Sequence, residues 1–432
     1  MLYCAAVAAP HFMIPGGNMT EHSGFSWIVS CLGALLLFAP VSRAQKPAAP
    51  GPTPAERKAE VEEKIRRVRA FLKREQLGGL LIGHVRNFAW LTAGGDSHIV
   101  LGSPSGAASL LVLFDGRRFL VSPNNESLRL MNEEVAALGF ELREYKWYED
   151  KLAPDRKLEV IRELAGGQAV ASDMPYANLR VAEKEVAALR VPLMETEMHR
   201  LRWLGRETTT AVAEVARQIA PEMSERQMEA MTADALMRRG IRPTVLLMGA
   251  DERIRQYRHA TPNDAKIKRY AMINVCAERW GVTIAVTRFV HFGPLPKPLA
   301  ERAAAVARVD ATYLAHTVPG ATADEILKAG ARAFEREGYP GEWEMHHQGG
   351  ALGYLERDWI AFPGLAEKVH VGQAFAWNPT ITGTKSEDTV LVTEKGLEVL
   401  TESAGWPTIE VEVEGKKWKR PAILVRPLPA KR

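Results

Sequence analysis

Three stretches of this chain set out side chains suited to chemistry near neutral pH. The first is Glu344-Met345-His346-His347-Gln348-Gly349-Gly350-Ala351-Leu352-Gly353-Tyr354, where two adjacent histidines follow a carboxylate and run into a glycine-rich turn. Imidazole transfers protons near neutrality and is also a common metal ligand. The stretch therefore suits a metal site, a proton-transfer site, or a buried turn with one hydrogen-bonded histidine. Read as a strand over 344–349, it points His346 and His347 to opposite faces, which opposes a mononuclear site built from Glu344, His346 and His347. The second stretch is Arg255-Gln256-Tyr257-Arg258-His259, in which two guanidinium groups could hold an anion beside an imidazole. The third, Lys385-Ser386-Glu387, offers an acid and an amine two residues apart. No Gly-x-Ser-x-Gly elbow, phosphate-binding glycine loop, paired zinc-type cysteines or His-Glu-x-x-His accompanies them. Serine hydrolase, nucleotide-binding and ordinary metalloprotease chemistry are disfavoured accordingly.

The elements that must position these residues divide the chain. At 432 residues one core is too few, and two domains are expected. A net charge of +4 over 56 basic and 52 acidic side chains, without a basic block interleaved with aromatics, speaks against nucleic acid as a partner. The apolar run Trp27–Val41 is short for a membrane span and ends in Ser42-Arg43-Ala44. Residues 1–44 therefore read as a signal peptide, with export to the periplasm or beyond and no stable membrane span after cleavage. Cys276 is then the one cysteine left, in an apolar run that suits a small buried residue.

Residues 45–55 read as an extended Pro/Ala linker, followed by a charged helix from about Ala55 to Gln76. Apolar runs at 78–83 and 108–114, bounded by Gly and Asp-Gly turns, read as buried strands, and a helix–strand pair covers 158–173. Residues 56–190 thus form a small α/β domain. Beyond it, helices at 195–219 and 224–239 precede strands near 244–248 and 270–277. Helices at 299–317 and 323–338 then precede strands near 344–349 and 374–381. This order, given twice about a hundred residues apart, predicts two structural halves in 191–405 with a cleft between them. Residues 406–432 contain a hairpin around Glu414-Gly415.

Four segments resemble one known family. They are Arg258-His259-Ala260-Thr261-Pro262, Val286-Thr287-Arg288, His346-x-x-Gly349-x-x-x-Gly353 and Ser386-Glu387-Asp388-Thr389-Val390-Leu391-Val392-Thr393. Together they resemble the creatinase/aminopeptidase P/prolidase family over about 58–402. The resemblance implies an α/β (α+β) chain, with a small creatinase-type N-terminal α/β domain and a duplicated pita-bread C-terminal domain. It also implies a homodimer. Peptidases of that family hold two divalent metals with two Asp, one His and two Glu. Carried over position by position, these five places fall on Asn274, Ala285, Gly350, Asn378 and Glu387. Paired metals need bridging carboxylates to offset their charge, and one carboxylate in five positions does not supply them.

By the same resemblance His259 matches a substrate-contacting histidine that in creatinase is the acid/base, with Glu387 beside it to tune the imidazole. His346 matches the first histidine of the family's glycine turn. Arg357 falls where the peptidases place a further catalytic histidine, and so sets a permanent cation there, suited to an anionic group. The expectation is a metal-independent hydrolase of a C–N bond (amidino, amide or Xaa-Pro-like) in a small or short-peptide, carboxylate-bearing substrate. His259, Glu387 and His346 would be catalytic; Arg357, Arg258, Asn274, Asn378 and Glu344 would bind substrate; no metal or cofactor is expected. Two other readings stay open: a non-catalytic protein that binds peptides in the old cleft, and an Xaa-Pro metallopeptidase whose ligands lie in another register.

Overall fold

The computed structural model describes residues 51–428. The expected signal peptide at 1–44 and the start of the linker lie outside the described residues. The linker ends earlier than its composition suggests. Thr53 caps a helix over Pro54–Glu75 with a reciprocal capping box to Glu56, and Pro54 sits at the first helical position, where a missing N–H costs nothing.

This helix packs on a six-stranded sheet of order β4-β3-β2-β1-β5-β6. The strands are β1 (Gly79–His84), β2 (Ser105–Leu113), β3 (Arg118–Pro123), β4 (Glu141–Tyr145), β5 (Val170–Ser172) and β6 (Arg180–Val181). β1 and β3 are buried along most of their length and carry apolar side chains on both faces, as strands covered on two sides must.

The following part holds two further sheets. β7 (Arg242–Ala250), β8 (Tyr270–Arg279) and β9 (Val282–Phe292) form one with β19 (Leu424–Arg426). β10 (Gly349–Leu352), β11 (Trp359–Ile360), β12 (Ala374–Trp377), β15 (Asp388–Thr393) and β16 (Gly396–Val399) form the other, with the short pair β13 (Thr380–Ile381) and β14 (Thr384–Lys385) beside it. Helices Glu195–Gln218 and Glu225–Met237 cover the first sheet, and helices Lys297–His316 and Ala323–Arg336 cover the second. Ser224 closes a capping box with Gln227 and Thr322 one with Glu325, so each second helix starts from the same local chemistry.

β8 and β9 turn on Trp280-Gly281, both with positive φ (55° and 79°), the geometry that a tight two-residue hairpin requires. That turn fixes the register, with Asn274 opposite Thr287. Alternation then sends Ile273, Val275, Ile284 and Val286 into the core shared with helix Glu195–Gln218, and Asn274 and Thr287 to the other face. The two sheets meet along β9 and β15, where the N–H of Thr287 donates to the carbonyl of Glu387 and Thr389 Oγ1 bonds both backbone groups of Ala285.

One expectation needs correction here. Residues 344–349 are not a strand: Glu342–Met345 is a short 3-10 helix entered from Gly341 (φ 79°), and β10 begins only at Gly349. Gly341 takes the left-handed conformation that starts this turn at no steric cost. The expected hairpin around Glu414-Gly415 is present. Thr408–Val413 (β17) and Lys416–Pro421 (β18) pack on helix Lys297–His316, and the chain then runs parallel beside β9.

The hairpin carries Arg420, which is 1% exposed and bonded to Asp310 Oδ2 at 2.7 Å and Asp388 Oδ2 at 2.8 Å. Asp388 also accepts from Arg288 at 2.8 Å. Arg420→Ala leaves two carboxylates buried with one guanidinium between them, which typically costs about 3–5 kcal/mol. A denaturant titration should show that loss; one under about 1 kcal/mol would place the pair with surface ion pairs.

Candidate active site

Glu387 sits between Ser386 and the start of β15, 1% exposed, and every oxygen of its carboxylate is taken. Oε2 accepts from Asn274 Nδ2 at 2.6 Å and from Thr287 Oγ1 at 2.6 Å; Oε1 accepts from Arg357 Nη2 at 3.0 Å. Asn274 Nδ2 is also 2.7 Å from Thr287 Oγ1, so amide, hydroxyl and carboxylate close a ring. Thr287, in sequence only a member of the Val286-Thr287-Arg288 motif, is placed opposite Asn274 by the Trp280-Gly281 turn.

Arg357 lies in the loop between β10 and β11. Arg190 holds the adjacent Asp358 at 2.6 Å, and Thr283 holds the carbonyl of Leu355 at 2.7 Å, so both ends of the loop are tied. The guanidinium also donates to the carbonyl of Glu356 at 2.6 Å, and its Nε is buried without a partner among the described residues.

The imidazoles form a second cluster. His259 Nε2 is 3.1 Å from His346 Nε2, and the His346 and His347 rings stack at 4.4 Å between centroids. His347 was expected to face away. It does not, because residues 346–348 lie outside the strand, between the 3-10 helix and β10, where alternation does not hold. His259 was also expected beside Glu387. Its hydrogen-bond partner is His346 instead, since Arg357, Asn274 and Thr287 already occupy the carboxylate. His259 is exposed on one side and His346 is buried.

Electrostatics keep these rings uncharged. Burial, with Lys385 adding to it, pulls His346 down to about 2; burial, with Arg357 and Lys385, pulls His347 down to about 4. His259 is lowered by burial and Lys385 against the opposing pull of Glu387. Burial lowers Lys385 itself, partly offset by Glu387. The Cys276 thiol is pushed up to about 12 by burial, which leaves it an inert small residue.

The other expected binding residues divide. Arg258 is committed to Glu342 at 2.5 Å and to Thr382 at 3.1 Å. Glu344 is exposed and away from the cluster, because the 3-10 turn brings Glu342 inward in its place. Asn378 is buried with Oδ1 unpartnered among the described residues. A cavity of about 730 Å³ lies elsewhere, between the loop 94–104 and the β8–β9 turn, with Glu356 on its wall but none of the three histidines.

The sequence pattern of metallopeptidase family M24 matches residues 199–394. An uncharacterized peptidase of Staphylococcus epidermidis is 26% identical over 152 residues, 33% of this chain and 43% of the relative. The agropine synthesis cyclase of Rhizobium rhizogenes is 32% identical over 140 residues, 30% of this chain and 35% of the relative. The chain thus spans less than half the length of these curated relatives. Among solved structures, dipeptidase PepE from Mycobacterium ulcerans superposes with a TM-score of 0.68 at 19% identity, covering 86% of this chain and 99% of that one. That likeness establishes the pita-bread fold and nothing finer.

The family's paired metals do not fit the residues present. The Asn274 amide turns its NH2, a donor, toward Glu387, whose own oxygens are spent on Arg357, Thr287 and Asn274. A fixed cation therefore stands against the one carboxylate a metal would need. At the position of the ligand histidine, a Cβ on Gly350 would collide with the carbonyl oxygen of Trp359 across β10–β11. Gly350→His is accordingly expected to destabilise by about 1–3 kcal/mol without gaining Mn2+ uptake. Thermal melts with and without Mn2+ check this, and an Mn2+-dependent rise in Tm would count against it. Over residues 199–394, within a pita-bread fold, this chain is thus similar to metallopeptidase family M24.

Proposed function

We propose that the chain is a hydrolase of C–N bonds in small, carboxylate-bearing substrates that works without the family's paired metals. Hydrolase chemistry is the common ground of the family. The observation that carries the finer reading is the 3.0 Å pair between Arg357 and Glu387. It puts a permanent, oriented positive charge where the resemblance places a catalytic histidine, and holds it with the carboxylate that would otherwise bind metal.

The division of labour follows from the distances. His259, exposed on one side and neutral, is the group able to take a proton from water and return it to the leaving nitrogen. His346, 3.1 Å away and buried, fixes the His259 ring through their shared hydrogen bond. Arg357 retains an unpartnered Nε with which to meet a carboxylate or a developing oxyanion. Glu387 acts through Arg357 and Asn274 and so positions the cation without touching His259. The relative named as a cyclase in agropine synthesis supports a substrate range in this family wider than dipeptides.

The test is a chelator-treated chain assayed against amidino acids, lactams and Xaa-Pro dipeptides. Turnover should persist without metal, and His259→Ala should lower it by about 10²–10⁴-fold. Turnover that appears only with added Mn2+ would restore the metallopeptidase reading; tight substrate binding with none would favour a binding protein. The pH profile gives a second check. His259 must be unprotonated to act as a base, and burial holds its pKa below the ordinary imidazole value of about 6.5. The acid limb of kcat/KM should therefore fall below pH 6.5, with activity kept as pH rises through that value.

A further inference from the structure

We propose that His259, His346 and His347 form a mononuclear site for a borderline transition ion such as Zn2+, distinct from the five positions of the family's paired centre, and that an ion seated there inhibits the enzyme. The second half rests on the proton-transfer role given to His259 above; the first half does not.

The geometry carries the site. One nitrogen from each ring lies within 4.8 Å of the others. The His259 and His346 Nε2 atoms, 3.1 Å apart, are already near the roughly 3.4 Å between neighbouring ligands that follows from Zn–N bonds of about 2.0–2.1 Å in a tetrahedron. The three rings come from two directions: His259 from the loop after β7, and His346 with His347 from the entry to β10. The exposed side of His259 leaves a fourth position for water. Within the protein the Nδ1 atoms of both His346 and His347 are buried without a partner among the described residues, so each ring keeps bonding capacity that the fold does not use.

The donor set selects the ion. Three neutral imidazoles and no free carboxylate suit Zn2+, Co2+, Ni2+ or Cu2+ and not Mg2+ or Ca2+, which require oxygen ligands. Lys385 and Arg357 bear on the same rings as positive charges and set the affinity below that of a closed structural site. An ion bound to His259 Nε2 displaces the hydrogen bond that fixes the ring and lowers the basicity of its other nitrogen, so occupancy and turnover exclude one another.

The full chain, stripped with chelator and dialysed, is titrated with Co2+ and followed by visible absorption. One equivalent per chain, with the strong absorption of four-coordinate Co2+ and displacement by Zn2+, is expected. His347→Gln should abolish that signal while keeping metal-free turnover, since His347 has no part in proton transfer. His346→Gln provides a second, independent loss of the signal should His347→Gln fold poorly, and thermal melts report folding for both. Absence of a stoichiometric equivalent, or a signal unchanged in both variants, overturns the site. Zn2+ that binds stoichiometrically yet leaves turnover unaffected, or is required for it, overturns the inhibition and with it the role of His259, but not the site. The binding measurement needs no substrate, so it stands even if the hydrolase reading fails.

Discussion

The contact between Arg357 and Glu387 organises this molecule. A carboxylate with 2% of its side chain exposed is costly unless its charge is met. In the peptidases the resemblance points to, metal ions meet it; here a guanidinium does, together with Asn274 and Thr287. Once this exchange is made, the other replacements are consistent with it. Carboxylates at 274 and 378 would crowd Glu387 with like charge, and neutral amides avoid that. The pair also ties the β10–β11 loop to the start of β15, so one interaction both meets the buried charge and fixes the loop.

Glu387 has a neighbour of opposite orientation. Asp388, next along the strand, points to the other face and is bound by Arg288 and Arg420. Strand alternation thus divides two adjacent acids between two tasks: one faces the cleft, the other anchors the C-terminal hairpin through Arg420 and Asp310. A buried network of this kind favours one arrangement over near alternatives because any register shift would strand a charge. The site therefore depends on residues as late as 420, beyond the segment that matches the family pattern.

The imidazole cluster follows from a different constraint. Burial and nearby cations remove the protons from His346 and His347, and neutral rings can approach at distances that imidazolium groups could not share. The cluster is therefore compact because it is uncharged. It lies beside the ion-paired centre and shares with it only the field of Lys385, Arg357 and Glu387.

Much of this protein was readable before folding was considered. Helix positions were legible in apolar periodicity, and the repeat of helix pairs before strands in their spacing. That four of the family's metal positions fall on Asn274, Ala285, Gly350 and Asn378 is what the sequence resemblance implies. These are local facts, encoded in hydrogen bonds and periodicities that span a few residues. What only the tertiary structure decided was which groups meet. His347 joins His259 because a 3-10 turn interrupts the strand period. Glu342, not Glu344, reaches Arg258. Glu387 turns to Arg357 and away from His259, and Arg420 reaches back to Asp310. Each of these contacts joins residues far apart in the chain or depends on where a turn ends. Their partners are chosen by packing and by the competition among buried charges, which no short stretch of sequence contains.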